Sequence, residues 1–217
     1  SNAVSINAGA ACMSSDGSTW MTGGFNSGSK AYVSTDNGST WTYISSIGTG
    51  SWRACALTSN GSKRYFLNYA QNLWLSNNSG SSWLQINFGL VNNNCVAVTE
   101  DGGIVIQTQV DGHLYTSTNP QVTFNSITNA YGGGSNFNTC SISGTGKFIV
   151  AGLNGLGPRL SVDGGVTWAS ETGIANGQWS SVVVSRDGTR IIALSKTGIG
   201  NYIGTYTPPI GLSLGIG

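Results

Sequence analysis

The sequence predicts an all-β fold of five repeats, each repeat four antiparallel strands. Three observations carry this. Gly is 33 of 217 residues, Asn, Ser and Thr are abundant, and Pro is only 4, the composition of tight turns between short strands. No window keeps apolar residues at helical spacing. Two short strings recur along the chain about half a repeat out of phase with each other.

The first string is STDNGSTW, with Ser34, Asp36, Gly38, Thr40 and Trp41 at offsets 0, 2, 4, 6 and 7. The same offsets return at Ser76, Asn78, Gly80, Ser82 and Trp83, and again at Ser161, Asp163, Gly165, Thr167 and Trp168. A weaker copy runs through Ser117, Asn119, Gln121, Thr123 and Phe124, and a degenerate one through Gly204, Tyr206, Pro208, Pro209 and Ile210. The last positions are 41, 83, 124, 168 and 210, so the steps are 42, 41, 44 and 42. The second string centres on Gly17, Gly61, Gly102, Gly146 and Gly188, mostly after Asp or Asn, with steps of 44, 41, 44 and 42. Asp-Gly or Asn-Gly between β-prone runs is a hairpin signal. SSDGSTW (Ser14 to Trp20) is therefore a hairpin turn, although it looks like the first string with one residue missing.

Each repeat then reads as strands A to D. In the second repeat these are A, 53–58; B, 63–69; C, 73–76; and D, 82–86. Four antiparallel strands at this period are the blade of a β-propeller, and five copies give five blades, about 4–46, 47–88, 89–129, 130–172 and 173–217. Ser1, Asn2 and Ala3 read as a tag remnant. The last blade ends in strand 211–215, or else Val4 to Ile6 pairs with it and closes the ring.

The S-x-D-x-G-x-T-W string resembles the Asp box, or BNR repeat, of sialidases and many other propeller proteins. The resemblance implies a turn between strands C and D, in agreement with the placement above. The local chemistry is structural: Asp36 and Asp163 accept amides of their own turn, Gly38 and Gly165 take positive φ, the Thr hydroxyl ties the ends and the Trp covers them. A calcium or ligand site is the functional reading of the same residues. The sialidase branch implies three clustered arginines, a Tyr nucleophile with a Glu base, and an acid Asp. Here the pattern departs. The five arginines are Arg53, Arg64, Arg159, Arg186 and Arg190, and Arg64, Arg186 and Arg190 fall near A–B turns, at the end opposite the irregular loops. Glu100 and Glu171 are the only glutamates, and a glycosidase pair would have to come from Asp111 and Glu171. No catalytic residues are expected.

Two further columns recur. Tyr32, Trp74, Tyr115, Arg159 and Tyr202 stand two residues before each first-string start, where an aromatic packs on strand C. Ala8, Trp52, Asn93, Phe137 and Trp179 stand at the mouth of strand A, where the aromatics either pack between blades or line a sugar-binding surface. Cys12, Cys55, Cys95 and Cys140 fall one per repeat near strand A, with Val182 in the fifth. They read as small buried thiols, with a disulfide framework as the alternative. A zinc site wants close Cys pairs and His partners, and His113 is the only histidine. No metal or cofactor is expected.

Charged residues are 8% and the net charge is +1, which excludes the basic face of a nucleic-acid binder. No apolar run is long enough to cross a membrane as a helix. The A–B and C–D turns share one end of each blade and are regular, so binding belongs to the other end, with the variable B–C and D–A loops. Those loops are rich in Asn, Gly, Ser and Gln beside Trp and Phe, a chemistry that suits neutral sugars. The candidate ligand-binding residues are Trp52, Arg53, Asn93, Phe137, Arg159 and Trp179. The expected role is a monomeric, non-enzymatic module for carbohydrate recognition or adhesion, secreted, at a cell surface or on a virion. A protein-interaction scaffold is the alternative, and a glycoside hydrolase is the third. The sequons at Asn37, Asn60 and Asn77 lie inside repeated turns.

Overall fold

Short β-branched and aromatic runs, most of them closed by a turn with glycine at positive φ, set the architecture. A computed structural model of the chain describes residues 7–69, 72–87, 92–110, 112–120, 123–127, 136–170, 174, 176–196, 198, 200–207 and 211–215. The expected closing strand Val4 to Ile6, and the residues Asp111, Gln121, Glu171, Pro208, Pro209 and Ile210, lie outside them. By internal contacts the chain divides into two compact units, Ser1–Val96 with Glu100–Gly102, and Ala97–Thr99 with Gly103–Gly217.

The first unit holds two four-stranded antiparallel sheets. The first sheet is β1 (Ala8–Met13), β2 (Trp20–Gly24), β3 (Ala31–Ser34) and β4 (Thr42–Tyr43), paired in that order. The second is β5 (Trp52–Leu57), β6 (Arg64–Asn68), β7 (Asn72–Ser76) and β8 (Leu84–Asn87), again in order. The strands expected in this repeat match within two residues at each end. A short 3-10 turn, Ser45–Ile47, leads from one sheet to the next. The sheets share a core of Ala10, Met21, Ala31, Ile44, Ile47, Trp52, Cys55 and Phe66.

A third meander runs β9 (Asn93–Val98), β10 (Val105–Gln109), β11 (Leu114–Asn119) and β12 (Thr123–Ser126). The second unit continues with β13 (Phe137–Ile142), β14 (Ile149–Leu156), β15 (Arg159–Ser161) and β16 (Ala169–Ser170). It ends with β17 (Gly177–Val184), β18 (Arg190–Ser195), β19 (Tyr202–Thr207) and β20 (Gly211–Gly215). These last two meanders join into one sheet because the end of β14 pairs with the start of β17, Asn154 with Gln178 and Leu156 with Gly177. Phe148, Val150, Leu160, Trp179, Val182, Val184, Ile191 and Ala193 form the core between them. Leu114, Phe137, Ala151 and Leu153 form another.

The two strings that look alike are different turns built from the same parts. In the Ser34–Trp41 turn, between β3 and β4, Ser34 Oγ donates to Asp36 Oδ1 at 2.7 Å and accepts Gly38 N at 2.9 Å. Asp36 also accepts Thr40 N at 2.8 Å and Thr40 Oγ1 at 2.6 Å, four residues on. Ser161, Asp163, Gly165 and Thr167 repeat the pattern, with Thr167 N at 2.8 Å from Asp163. In the Ser14–Thr19 hairpin, Asp16 instead accepts Ser18 N and Ser18 Oγ, two residues on, at 3.0 and 2.8 Å. Ser185, Asp187 and Thr189 make that hairpin again. Gly38, Gly80 and Gly165 carry φ of 81°, 86° and 92°. The weak third copy departs. Its Ser117 Oγ bonds Thr123 O, and β11 runs on to Asn119, which pairs with Thr123.

All four cysteines are thiols, none in a disulfide; Cys55 and Cys140 are buried, Cys12 and Cys95 half-buried. Cys12 sits beside Cys55, and burial first, then that neighbouring thiol, pushes its titration well above the usual range.

Asp36 and Asp187 titrate at about 2 in the folded chain, Asp36 first because of the Thr40 hydroxyl and Asp187 first because of the Ser185 hydroxyl. A carboxyl depressed by folding stabilises the fold above its unfolded value, and that contribution is lost as pH falls through the folded one. Thermal melts should therefore show a falling midpoint from about pH 4 to about pH 2. Asn78 already makes the neutral version of this turn, accepting Ser82 N at 2.9 Å and donating to Ser82 Oγ at 2.8 Å. Asp36→Asn should accordingly keep the fold and shallow the acid slope; a slope unchanged from wild type would remove Asp36 from the explanation.

Candidate functional site

Strand A starts with a bulge in four of the meanders. The register slips between Ala8 and Ala10, Trp52 and Ala54, Phe137 and Thr139, and Trp179 and Ser181. A bulge leaves one residue unpaired and re-aims the side chains around it. The unpaired residues are Gly9, Arg53, Asn138 and Ser180. Their predecessors Trp52, Phe137 and Trp179 turn fully inward, with no exposed surface. Trp52 Nε1 donates to Ser29 O at 3.0 Å, and Trp179 Nε1 donates to Leu156 O at 2.9 Å. The first indole reaches the loop after strand B of the preceding repeat, and the second reaches the last residue of strand B, Leu156. Asn93 is also fully buried, and its Nδ2 donates to Asn68 O at 3.1 Å. These four expected ligand-binding residues are thus core residues and offer a ligand no surface. Arg159 is half-buried at the start of β15, next to the short loop that follows β14, and does not line the cleft described below.

Arg53 is different. Its bulge puts the guanidinium between two aromatic rings, with Cζ 3.9 Å from the Phe25 centroid and 4.1 Å from the Tyr69 centroid. Its Nε is buried and has no hydrogen-bond partner. Burial lowers its titration, and the Tyr69 hydroxyl opposes that; the group stays charged. The sandwich forms one wall of an open cleft of about 640 Å³, lined also by Asn26, Ser27, Gly28, Thr49, Gly50, Ser51 and Asn68.

Three segments of the first unit build it. The β2–β3 loop supplies Phe25 to Gly28. It is pinned by Phe25 N to Asn7 O at 2.7 Å, by a hydrogen bond from Ser51 Oγ to Phe25 O, and by the reciprocal Ser29–Gly50 bridge at 3.1 and 2.9 Å. The segment before β5 supplies Thr49 to Ser51. The end of β6 supplies Asn68 and Tyr69, and Tyr69 N donates to Ser51 O at 2.8 Å. Gly50 is tight, since a Cβ there would strike the Asn68 amide. Phe25 remains 39% exposed. The site lies at the end of the strands where variable loops were expected. Of the six residues chosen from sequence, only Arg53 lines it. Phe25, Asn26, Asn68 and Tyr69 were missed, because the residue types at the end of strand B and in the loop after it do not recur between repeats and leave no column to read.

The cleft contains one cation and no carboxylate among its lining residues. It offers a partly exposed ring, a planar cation, two amides and hydroxyls, which is a binding chemistry. Among the described residues no group of three or more His, Cys, Asp or Glu is placed to hold a metal.

No family model matches the chain, and no curated protein matches it. Solved structures do. The β-propeller domain of Cps50 (Swd1) from Myceliophteria thermophila aligns with a TM-score of 0.80 at 8% identity, over 98% of this chain and 71% of that one. The GH74 xyloglucanase from Xanthomonas campestris aligns at 0.71 and 16% identity, over 95% of this chain. Only 38% of the xyloglucanase is covered. A nidogen/laminin complex aligns at 0.71 and 11% identity, over 91% of this chain and 75% of that one. All are β-propeller proteins, and the likeness shows a β-propeller fold.

The Arg53 sandwich makes its own prediction. Removing one ring by Tyr69→Ala should speed Nε–H exchange of Arg53 with water by about tenfold or more, read by NMR, and leave the buried Trp52 indole signal in place. Arg53→Ala should lower stability by about 1 kcal/mol, the scale of cation–π contacts at partly exposed sites.

Proposed function

We propose that the chain is a non-enzymatic carbohydrate-recognition module, a five-bladed Asp-box propeller whose five meanders are its blades. The single observation that carries the binding reading is the cleft at Phe25, Arg53 and Tyr69. An aromatic ring takes the apolar C–H face of a sugar, and the amides of Asn26 and Asn68 with the hydroxyls of Ser27 and Thr49 take its hydroxyls. The position of Arg53 is filled by Gly9, Asn94, Asn138 and Ser180 in the other repeats, so this wall belongs to one site and not to the scaffold. Glycosidase chemistry needs a carboxylate on each side of the scissile bond, and a sugar in this cleft meets none among its lining residues. A module of this kind works outside the cell, on a cell surface or a virion.

A protein-interaction scaffold is the second reading, favoured by the exposed apolar side chains of the last meander, Val183, Ile192, Leu194 and Ile203.

A glycan array with the domain made multivalent for avidity tests the first reading. Binding should appear, and Phe25→Ala or Asn26→Ala should weaken it by about tenfold without changing the thermal midpoint by more than a few degrees. Silence across neutral and acidic glycans in the multivalent form would sink the carbohydrate reading and leave the scaffold.

A further inference from the structure

A neutral sugar would leave the charge of the Phe25 cleft unanswered. Arg53 is the cation there, and no carboxylate stands among the lining residues. Phe25 and Tyr69 lie over the guanidinium, with Cζ 3.9 and 4.1 Å from the two ring centroids. Ring faces attract a cation but give its N–H groups no in-plane acceptor. Nε is buried and has no hydrogen-bond partner. A guanidinium carries its donors as a fork in one plane, and a carboxylate matches that fork with two parallel hydrogen bonds.

The rings also hold the group in place. A stacked guanidinium has already given up rotamer freedom that binding would otherwise cost. The charge stands alone in this wall. Lys30, beside the Ser29–Gly50 bridge, does not line the cleft, and its Nζ lies 5.0 Å from the Tyr43 ring centroid. One fixed cation therefore answers one anionic group. A sulfated glycan, with several charges on neighbouring sugars, would turn most of them toward an uncharged surface.

We propose that the sugar taken by this cleft is a hexuronate, its carboxylate paired with the guanidinium of Arg53. This rests on the carbohydrate reading and narrows it. A hexuronate bears its carboxylate at the rim of the ring, beside the C–H face rather than over it. That face is then free for Phe25, which stays 39% exposed. The ring hydroxyls meet the Asn26 amide and the hydroxyls of Ser27 and Thr49, which line the same cleft. A sialylated glycan bears its carboxylate on the carbon that also carries the glycosidic bond. That would press the rest of the glycan against Arg53, a half-buried group with a ring at 3.9 and another at 4.1 Å.

Three ligands test this on the whole chain, made multivalent for avidity: a hexuronate oligosaccharide, the same oligosaccharide with its carboxyls reduced to alcohols, and a sialylated glycan. Wild type should bind the acid at least about tenfold tighter than the alcohol. Arg53→Gln should bind both as weakly as wild type binds the alcohol, with the Trp52 indole signal in place to show the fold. Arg53→Lys keeps the charge without the fork and should fall between. Equal binding of acid and alcohol by wild type would overturn the pairing and leave the carbohydrate reading standing, whether or not the variants fold. A preference for the acid that survives in Arg53→Gln would place the carboxylate elsewhere and overturn it too. Binding confined to the sialylated glycan would overturn the hexuronate. Silence on every glycan would overturn this inference together with the carbohydrate reading.

Discussion

The interaction on which the described structure depends is a buried indole that holds the preceding repeat. Trp52 and Trp179 each send Nε1 to a carbonyl 23 residues earlier, Ser29 O and Leu156 O. The rings are wholly buried, and a buried donor without an acceptor would be costly. The acceptor therefore fixes where the end of strand B and the loop after it must lie. Gly23 and Gly152 make room, since a Cβ at either would meet the indole's Cβ at 2.6 and 2.9 Å. From that anchor follow the Ser29–Gly50 bridge and the Leu156–Gly177 pairing, which occupy corresponding places in the two units.

The bulge beside the indole then separates scaffold from site. Inserting one residue lets Trp52 face the core while Arg53 leaves the ladder. The same insertion yields Gly9, Asn138 and Ser180 elsewhere, so the backbone device repeats and the chemistry does not. The variable residue is the unpaired one, and the tryptophan contact is made by its neighbour. Strand-start bulges and the loops they border can vary in sequence without disturbing the columns that bury one sheet on another.

Sequence reasoning reached the strands and turns because those depend on local chemistry. An Asp with a Ser two residues before it and a glycine after it closes a turn within eight residues, and its period survives in the string. The distinction between Asp16 and Asp36 was also legible, as a one-residue difference in spacing. What spacing does not encode is the side of the sheet. A bulge changes the parity of the strand by one, so the column of Trp52, Phe137 and Trp179 could be read as surface or as core. The packing alternative describes their burial. Phe25 and Tyr69 were illegible for another reason: they become neighbours only because the Ser29–Gly50 and Tyr69–Ser51 hydrogen bonds bring two loops together.

Charge economy ties these features together. Most described aspartates spend their carboxylates inside their own turns, where several donors hold the ionised form. Asp36, Asp163 and Asp187 are all lowered for this reason, against the small opposing effect of burial at Asp36 and Asp187 and a larger one at Asp163. Those turns stand at the end of the strands away from the loops that form the cleft. Among the described residues lining the cleft Arg53 meets no carboxylate, and it is held between ring faces, which attract the cation without neutralising it. The cation keeps its charge and its planar donor edge within an otherwise uncharged wall, and a ligand that accepts hydrogen bonds need not displace an ion pair to reach it.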